Sequence, residues 1–244
     1  QYLNVTKKFG YWRDTHTRII GTASFSLQEV FIRDWNASVT CAEDYLTYQS
    51  KFFTLPTQEE LGNISLQIVA DGPNRDDQVL KGGFIKMILG AKKRILIQTP
   101  YLIPDDSMMD ALLIAVRSGV EVNIMIPCMP DHPFIYRATQ YYASNLHKKG
   151  VKISIYTGGF LHAKVLVIDD HISSFGTMNQ DIRSYTLNFE VNAFVYNQEL
   201  TKILAETFEK DLEQSIELTD AMIAQQSLWL KSKQSVARLL SPIL

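Results

Sequence analysis

The stretch FLHAKVLVIDDHISSFGTMN, residues 160–179, places a histidine and a lysine two positions apart and ends on Gly-Thr-Met-Asn. Its apolar run predicts a buried strand. Because successive side chains of a strand point to opposite faces, His162 and Lys164 should project from the same face, about 7 Å apart. Holding both at the end of an apolar strand is costly unless an anion meets them. A phosphate would do so, because a lysine can bind its oxygens and a neutral imidazole can attack phosphorus or move a proton.

Residues downstream of this pair fit the same chemistry. Thr177 and Asn179 lie in a stretch opened by a glycine, where a hydroxyl and an amide could donate to the same phosphate. The alternative is a core histidine beside a lysine that extends to solvent. We disfavour it because the pattern His-x-Lys-x4-Asp, followed by Gly, Thr and Asn at fixed offsets, is rare by chance at average composition.

The sequence around this stretch alternates between strand and helix signals. Strands are predicted over 64–73, 94–102, 121–128, 151–156, 161–169 and 188–196, and helices over 77–90, 106–118, 133–148 and 198–213. This alternation predicts an α/β fold in which a mixed sheet lies between helical layers on both faces.

An internal similarity suggests how the chain is divided. Residues 13–35 and 188–212 share a pattern of strand, turn and amphipathic helix, with Asp14 in the first at the place of Glu190 in the second. We therefore expect four parts: the end of a first repeat (1–35), a connecting segment (36–63), a complete second repeat (64–213) and a helical tail (214–244).

Composition limits the classes of function. The 244-residue chain has a formal net charge of −2, a pI near 6.2 and 46% hydrophobic residues. It can bury a sizeable core, and it lacks the basic excess that is typical of a dedicated nucleic-acid-binding protein. No window reaches the roughly 18 apolar residues that a membrane span needs.

These motifs together resemble the HKD signature of the phospholipase D superfamily, carried here by His162, Lys164 and Asp169 with the downstream Gly-Thr-Met-Asn. Further stretches along essentially the whole chain resemble bacterial cardiolipin synthases: FGYWRDTHTRI (9–19), TPYLIPDD (99–106), PDHP (130–133), GFLHAK (159–164), FGTMNQDIRS (175–184), LNFEVNAFVY (187–196) and ARLLSPIL (237–244). The resemblance implies a phospholipase D-like mixed sheet flanked by helices.

The sequence departs from this family in one respect. Such synthases carry two HKD motifs, and this sequence has one. Because residues 1–35 match the part of the second repeat that comes after its motif, the partner motif is expected before Gln1, in an N-terminal half outside this sequence. The family's N-terminal membrane spans are expected there too. The parent protein is thus expected at the cell membrane with its catalytic part on the cytoplasmic side, and this fragment is expected to be soluble.

The resemblance also implies roles for the site residues. One histidine of the two motifs attacks phosphorus and the other protonates the leaving oxygen, from opposite sides of an in-line displacement. His162 is expected to be the general acid and then base, with the absent histidine as nucleophile. Lys164 is expected to bind phosphate oxygens, supported by Thr177 and Asn179. Glu190 is expected to accept the Nδ1 proton of His162 and fix its tautomer.

Two acidic residues complete the predicted site. Asp14 is expected to do for the missing histidine what Glu190 does for His162, although an ordinary acid at a strand end is the alternative. Asp169 belongs to the HKD motif, but it has the wrong strand parity to join His162, so we interpret it as a turn and charge-balancing residue. The resemblance implies no metal and no cofactor, because two lysines supply the charge that magnesium supplies elsewhere.

For the parent enzyme, the resemblance implies transfer of a phosphatidyl group between two phosphatidylglycerols through a phosphohistidine. The products would be cardiolipin and glycerol. The fragment alone is expected to be inactive. Two alternatives stay open: a homodimeric phosphodiesterase of the same superfamily, acting on lipid or nucleic acid, and a non-catalytic assembly domain. No nucleic-acid partner is expected.

The tail predicts a basic amphipathic helix. Apolar residues at 228–230, 236 and 239–240 alternate with Lys231, Lys233 and Arg238. Such a helix can lie on an anionic membrane surface, or it can dock on its own domain, and the sequence leaves both possibilities open.

Overall fold

The structure, a computed structural model, describes residues 9–54 and 62–241. The strands are β1 (Trp12–Arg13), β2 (Ser65–Asp71), β3 (Arg94–Gln98), β4 (Leu102–Ile103), β5 (Glu121–Pro127), β6 (Lys152–Tyr156), β7 (Phe160–Leu161), β8 (Val165–Ile168), β9 (Ile172–Gly176), β10 (Gln180–Asp181), β11 (Glu190–Tyr196) and β12 (Ser215–Glu217). The helices are α1 (Ala23–Ser38), α2 (Val79–Gly90), α3 (Asp106–Arg117), α4 (Pro133–His147), α5 (Ile182–Thr186), α6 (Gln198–Leu212), α7 (Asp220–Ala224) and α8 (Leu228–Leu239).

Eight strands form one sheet in the order β12-β6-β5-β3-β8-β9-β11-β2. Strands β3, β5 and β6 run parallel to one another. The strands from β8 to β2 and the edge strand β12 are antiparallel to their neighbours. The prediction of a mixed sheet is therefore confirmed.

Side chains of β8 divide the core in two. Leu166 and Ile168 are buried in the cluster that α2 and α3 cover. Val165 and Val167 lie on the opposite face, in the cluster that α6 covers. This division follows the alternation of side chains along a strand, and it confirms the prediction of helices on both faces of the sheet.

The central motif departs from the predicted strand over 161–169. Pairing stops after β7 and resumes at β8, so residues 162–164 lie between two strands. Strand β9 was not among the predicted elements. Its Ser173 and Ser174 are fully buried, and their hydroxyls are hydrogen-bonded to Thr201 and Asn192. Buried serines do not give an apolar strand signal, which is why this strand was missed.

Strand β1 lies parallel to β7, far from it in sequence. Trp12 pairs with Phe160, and the backbone nitrogen of His162 donates to the carbonyl of Arg13 at 2.7 Å. Gly159 makes this approach possible, because its φ is +148° and a Cβ there would lie 2.0 Å from the carbonyl oxygen of Tyr11. The strand pairing brings the residue after β1 beside the residue after β7.

The helices can also be compared with the thickness of a bilayer. Within residues 9–54 and 62–241, no helix is both long enough and apolar enough to cross a membrane.

Candidate active site

The pairing of β1 with β7 places Asp14 against His162. Nδ1 of His162 lies 2.8 Å from a carboxylate oxygen of Asp14. The backbone nitrogen of Thr15 donates to the other carboxylate oxygen at 2.9 Å. A carboxylate at Nδ1 keeps the proton on that nitrogen and leaves Nε2 as the reactive nitrogen.

This contact corrects one prediction. Glu190 was expected to accept the Nδ1 proton of His162, and Asp14 was expected to serve a different histidine. The structure gives Asp14 that position, because β1 pairs with β7. Glu190 is buried at the start of β11, where one of its carboxylate oxygens accepts from the side-chain amide of Asn188 at 3.1 Å.

A buried ion pair holds β1 in place. The guanidinium of Arg13 lies 2.8 Å from the carboxylate of Asp211 and forms two further hydrogen bonds to it at 3.0 Å. The side-chain amide of Gln98 donates to the same carboxylate at 2.7 Å. Sequence patterns did not identify Arg13 or Gln98 as part of the site. The signal that could have found them was an arginine directly before Asp14.

Lys164 turns back toward His162. Its ammonium lies 3.0 Å from Nε2 of His162 and donates to the carbonyl of the same residue at 2.6 Å. The two side chains therefore stand together, although residues 162–164 lie between β7 and β8 and not within the predicted strand.

Burial lowers the pKa of Lys164 from 10.5 to about 8, although the carboxylates of Asp14, Glu190, Asp181 and Asp131 each oppose that decrease. Because the Lys164 ammonium is poorly solvated, its charge attracts a bound anion more strongly than it would in water.

The acids around Lys164 differ in the direction of their pKa shifts. Burial tends to raise the pKa of Asp14, but the hydrogen bonds from His162 and from the Thr15 backbone outweigh it, and the pKa is lowered. Burial raises the pKa of Asp181, and the nearby Glu190 adds to the increase. Asp14 is therefore the ionised partner of the histidine.

Thr177 and Asn179 follow β9 at the end of the sheet where Glu190 begins β11. The hydroxyl of Thr177 accepts from the backbone nitrogen of Val191 at 2.9 Å, so it joins β9 to β11 at an exposed position. Asn179 is buried, and its side-chain oxygen has no hydrogen-bond partner among the described residues. Gly176 is required here, because a Cβ would lie 2.2 Å from the carbonyl oxygen of Val191.

Asp169 lies at the opposite end of β8 from His162. Its φ is +51°, and its carboxylate accepts from the backbone nitrogens of Lys92, Lys93 and Arg94 at 2.7 to 2.8 Å. These bonds connect the turn after β8 to the start of β3. The structure does not bring Asp169 into the site.

A cavity of about 370 Å³ opens beside Asn179 and Asp181, and neither His162 nor Lys164 lines it. Its lining includes Tyr101, Asn179, Asn188 and Ser241. The hydroxyl of Tyr101 forms a short hydrogen bond with Asp131. No three His, Cys, Asp or Glu side chains come together as a metal site within the described part of the chain.

Known proteins resemble this chain in sequence and in fold. Residues 84–212 match the family described as "Cardiolipin synthase, PLD-like domain". A cardiolipin synthase of Listeria monocytogenes serotype 4a (strain HCC23) is 50% identical over the whole chain, which covers 50% of that protein. A cardiolipin synthase of Staphylococcus aureus (strain Mu50 / ATCC 700699) is 51% identical, and the chain covers 49% of it. The chain thus spans about half the length of these relatives.

A solved structure shows a similar fold. The phosphatidylserine synthase of Haemophilus influenzae Rd KW20 superposes with a TM-score of 0.64 at 14% sequence identity, over 91% of this chain and 62% of the other. At this identity the likeness concerns the fold alone. The family match covers more than half of the residues, so the chain belongs to the cardiolipin synthase family of phospholipase D-like domains.

Proposed function

We propose that this chain supplies one half of the active site of a phosphatidyltransferase that makes cardiolipin from two molecules of phosphatidylglycerol. The observation that carries the proposal is the group formed by Asp14, His162 and Lys164, in which an oriented imidazole and an ammonium meet at 3.0 Å. The family match and the names of its curated relatives support the choice of lipid.

The reaction has two displacements at phosphorus. In the first, a histidine of a second motif attacks, the bond to glycerol breaks, and His162, which enters this step as an imidazolium with a proton on each nitrogen, gives its Nε2 proton to the departing glycerol oxygen. In the second, a hydroxyl of another phosphatidylglycerol attacks, His162 takes the proton of that hydroxyl, and the phosphohistidine bond breaks. Lys164 leaves Nε2 when the diester binds and pairs with its non-bridging oxygens.

The two acids exchange the roles that were first expected. Asp14 belongs to the end of the first repeat and orients the histidine of the second. Because Glu190 occupies the equivalent place in the internal similarity, Glu190 would orient the histidine of the other half-site. Thr177 and Asn179 would line the phosphate, with the unpaired oxygen of Asn179 available to a lipid hydroxyl.

The division of the chain into repeats is part of the same proposal. Residues 1–35 would belong to a first half that carries the second histidine, 36–63 would connect the halves, 64–213 would form the second half, and 214–244 its tail. The parent protein would act at the cell membrane, with its catalytic part on the cytoplasmic side.

The test compares the product of the whole reading frame with its His162→Ala variant. Phosphatidylglycerol vesicles serve as substrate, and mass spectrometry follows the lipids. We expect cardiolipin and glycerol from the first protein and at least about a hundredfold loss in the variant. The matched control is His171→Ala, which removes an exposed histidine in the turn after β8 and should leave the rate unchanged.

Three outcomes would contradict the proposal. Cardiolipin formation by His162→Ala at the control's rate would remove the histidine from the chemistry. Phosphatidic acid as the main product would indicate a hydrolase. Cardiolipin synthesis by the 244-residue chain alone would show that it needs no second half.

A further inference from the structure

Helix α8 divides its side chains between the domain and the solvent. Gln234 and Ala237 are buried, and Ala237 packs with Ile103 and Ala138 in a small cluster beside α4. Ser227 caps the helix by accepting from the backbone nitrogen of Leu230 at 3.2 Å. The helix therefore docks on its own domain along one side, which was one of the two alternatives that the sequence left open.

The other side of α8 exposes a set of large apolar side chains. Leu228 is 84% exposed, Leu239 71% and Trp229 70%. Val236 and Leu240 are exposed as well. We call these five residues the α8 outer face. At about 100° per residue they fall within one third of the helix circumference, with the exposed Ser232 among them, and large exposed apolar side chains grouped in this way mark an interaction surface.

Basic residues border the α8 outer face on both sides. Lys233 follows one edge, with its ammonium 4.9 Å from the centre of the Trp229 ring. Lys231 and Arg238 lie beyond the other edge, and Arg238 is 5.4 Å from the ring centre of Tyr141 on α4. The helix has no acidic residue from Leu228 to Leu239. An apolar strip between rows of cations, with a tryptophan at its border, complements an anionic lipid surface.

The end of α8 borders the candidate active site. Ser241, two residues after the helix, lines the cavity and contacts the hydroxyl of Tyr142 at 3.2 Å. Asn188 lines the same cavity from the segment between α5 and β11, and its neighbours Leu187 and Phe189 are exposed. Exposed apolar side chains thus neighbour, along the chain, two of the residues that line the cavity.

We propose that the α8 outer face binds the surface of a bilayer that contains anionic phospholipid, and that this places the cavity against the lipid headgroups. A diester headgroup in the cavity would then lie beside Asn179 while its acyl chains stay in the bilayer. The statement that a phospholipid headgroup is the substrate rests on the proposed function. The statement that the α8 outer face binds a bilayer does not depend on it. A protein partner is disfavoured, because the rows of cations would need acidic partners on both sides of a long apolar strip.

The experiment measures binding of the 244-residue chain to phosphatidylcholine vesicles prepared with or without phosphatidylglycerol. Sedimentation gives the bound fraction. We expect binding that requires phosphatidylglycerol and weakens at high salt. Replacing Leu228, Trp229 and Leu239 with serine should weaken binding by about tenfold or more. Replacing the three cations with glutamine should weaken it on the order of 100-fold.

A control removes three exposed apolar side chains elsewhere. Leu89, Ile114 and Ile203 are exposed on three other helices, and their triple serine variant should bind as the natural chain does. Equal binding by the two serine variants, or equal binding to both kinds of vesicle, would overturn the proposal. His162→Ala should bind normally, so that failure of lipid transfer and failure of docking are told apart.

Discussion

The cost of holding the Lys164 ammonium inside the site can be measured by replacing this lysine with methionine. Methionine has a similar length and no charge. The pKa of Lys164 falls from 10.5 to about 8, with burial as the main cause. At about 1.4 kcal/mol per pH unit, this difference corresponds to about 3 kcal/mol. We therefore expect the variant to be more stable than the natural chain by about 3 kcal/mol at pH 7.

The sign of the pH dependence follows from the same two pKa values. The unfolded chain keeps the lysine proton until about pH 10.5, whereas the folded chain releases it at about 8. Between these values the unfolded state binds more protons, so the stability of the natural chain rises with pH. The advantage of Lys164→Met should be complete below about pH 8 and should disappear by about pH 10.5.

The assay is urea unfolding followed by circular dichroism, with both chains measured in parallel from about pH 7 to about pH 10. Lys202→Met serves as control, because Lys202 is exposed on α6, and its free energy of unfolding should stay within about 0.5 kcal/mol. A Lys164→Met chain that is less stable than the natural one at neutral pH would refute the reasoning. A difference in stability that does not change with pH would do the same.

Three further substitutions test the support of the histidine. Asp14→Asn should shift the proton of His162 from Nδ1 toward Nε2, visible in the nitrogen chemical shifts of the ring, and should lower lipid transfer by the parent enzyme by about 10³-fold or more. Asp211→Ala leaves a buried guanidinium unpaired and should lower the free energy of unfolding by about 3–5 kcal/mol. Gly159→Ala forces a Cβ against a carbonyl oxygen and should detach β1, lowering stability by about 1–3 kcal/mol or more.

Each of these three substitutions has a control variant or a result that would contradict the prediction. An unchanged tautomer in Asp14→Asn would mean that the carboxylate does not orient the ring. Glu213→Ala removes an exposed acid near Asp211 and should be nearly neutral, so equal losses in the two variants would argue against the buried pair. Gly90→Ala meets no atom within 4 Å, and a loss as large as that of Gly159→Ala would point to a general effect of losing glycine.

Local patterns were sufficient for most of the fold. The alternation of apolar residues from 64 to 213 predicted the order of the main strands and helices, because each of these elements buries one face in a continuous core. The spacing of His162 and Lys164 predicted that their side chains would point to the same side, because the direction of side chains two residues apart depends only on local chain geometry. Strand β9 was missed because its buried residues are serines, whose burial depends on partners in β11 and α6.

The assignment of the acids needed information that a single segment does not hold. Asp14 and Glu190 occupy equivalent places in the internal similarity. Each acid was therefore assigned to the histidine of its own repeat, Glu190 to His162 and Asp14 to the histidine of the other motif. The contact between Asp14 and His162 joins residues 148 positions apart. It exists because β1 enters beside β7, and this pairing depends on the fit of Gly159 against Tyr11 and on the buried partner of Arg13.

The two-residue strand β1 also has a dynamic consequence. It is attached by backbone bonds at Phe160 and His162, by one buried ion pair and by the buried ring of Trp12 against Phe160, while the eight-stranded sheet is complete without it. Release of this short segment would free the imidazole to rotate without melting the body of the protein. Deuterium uptake at the amides of residues 160 and 162 would therefore report how often the ring loses its carboxylate, separately from global unfolding.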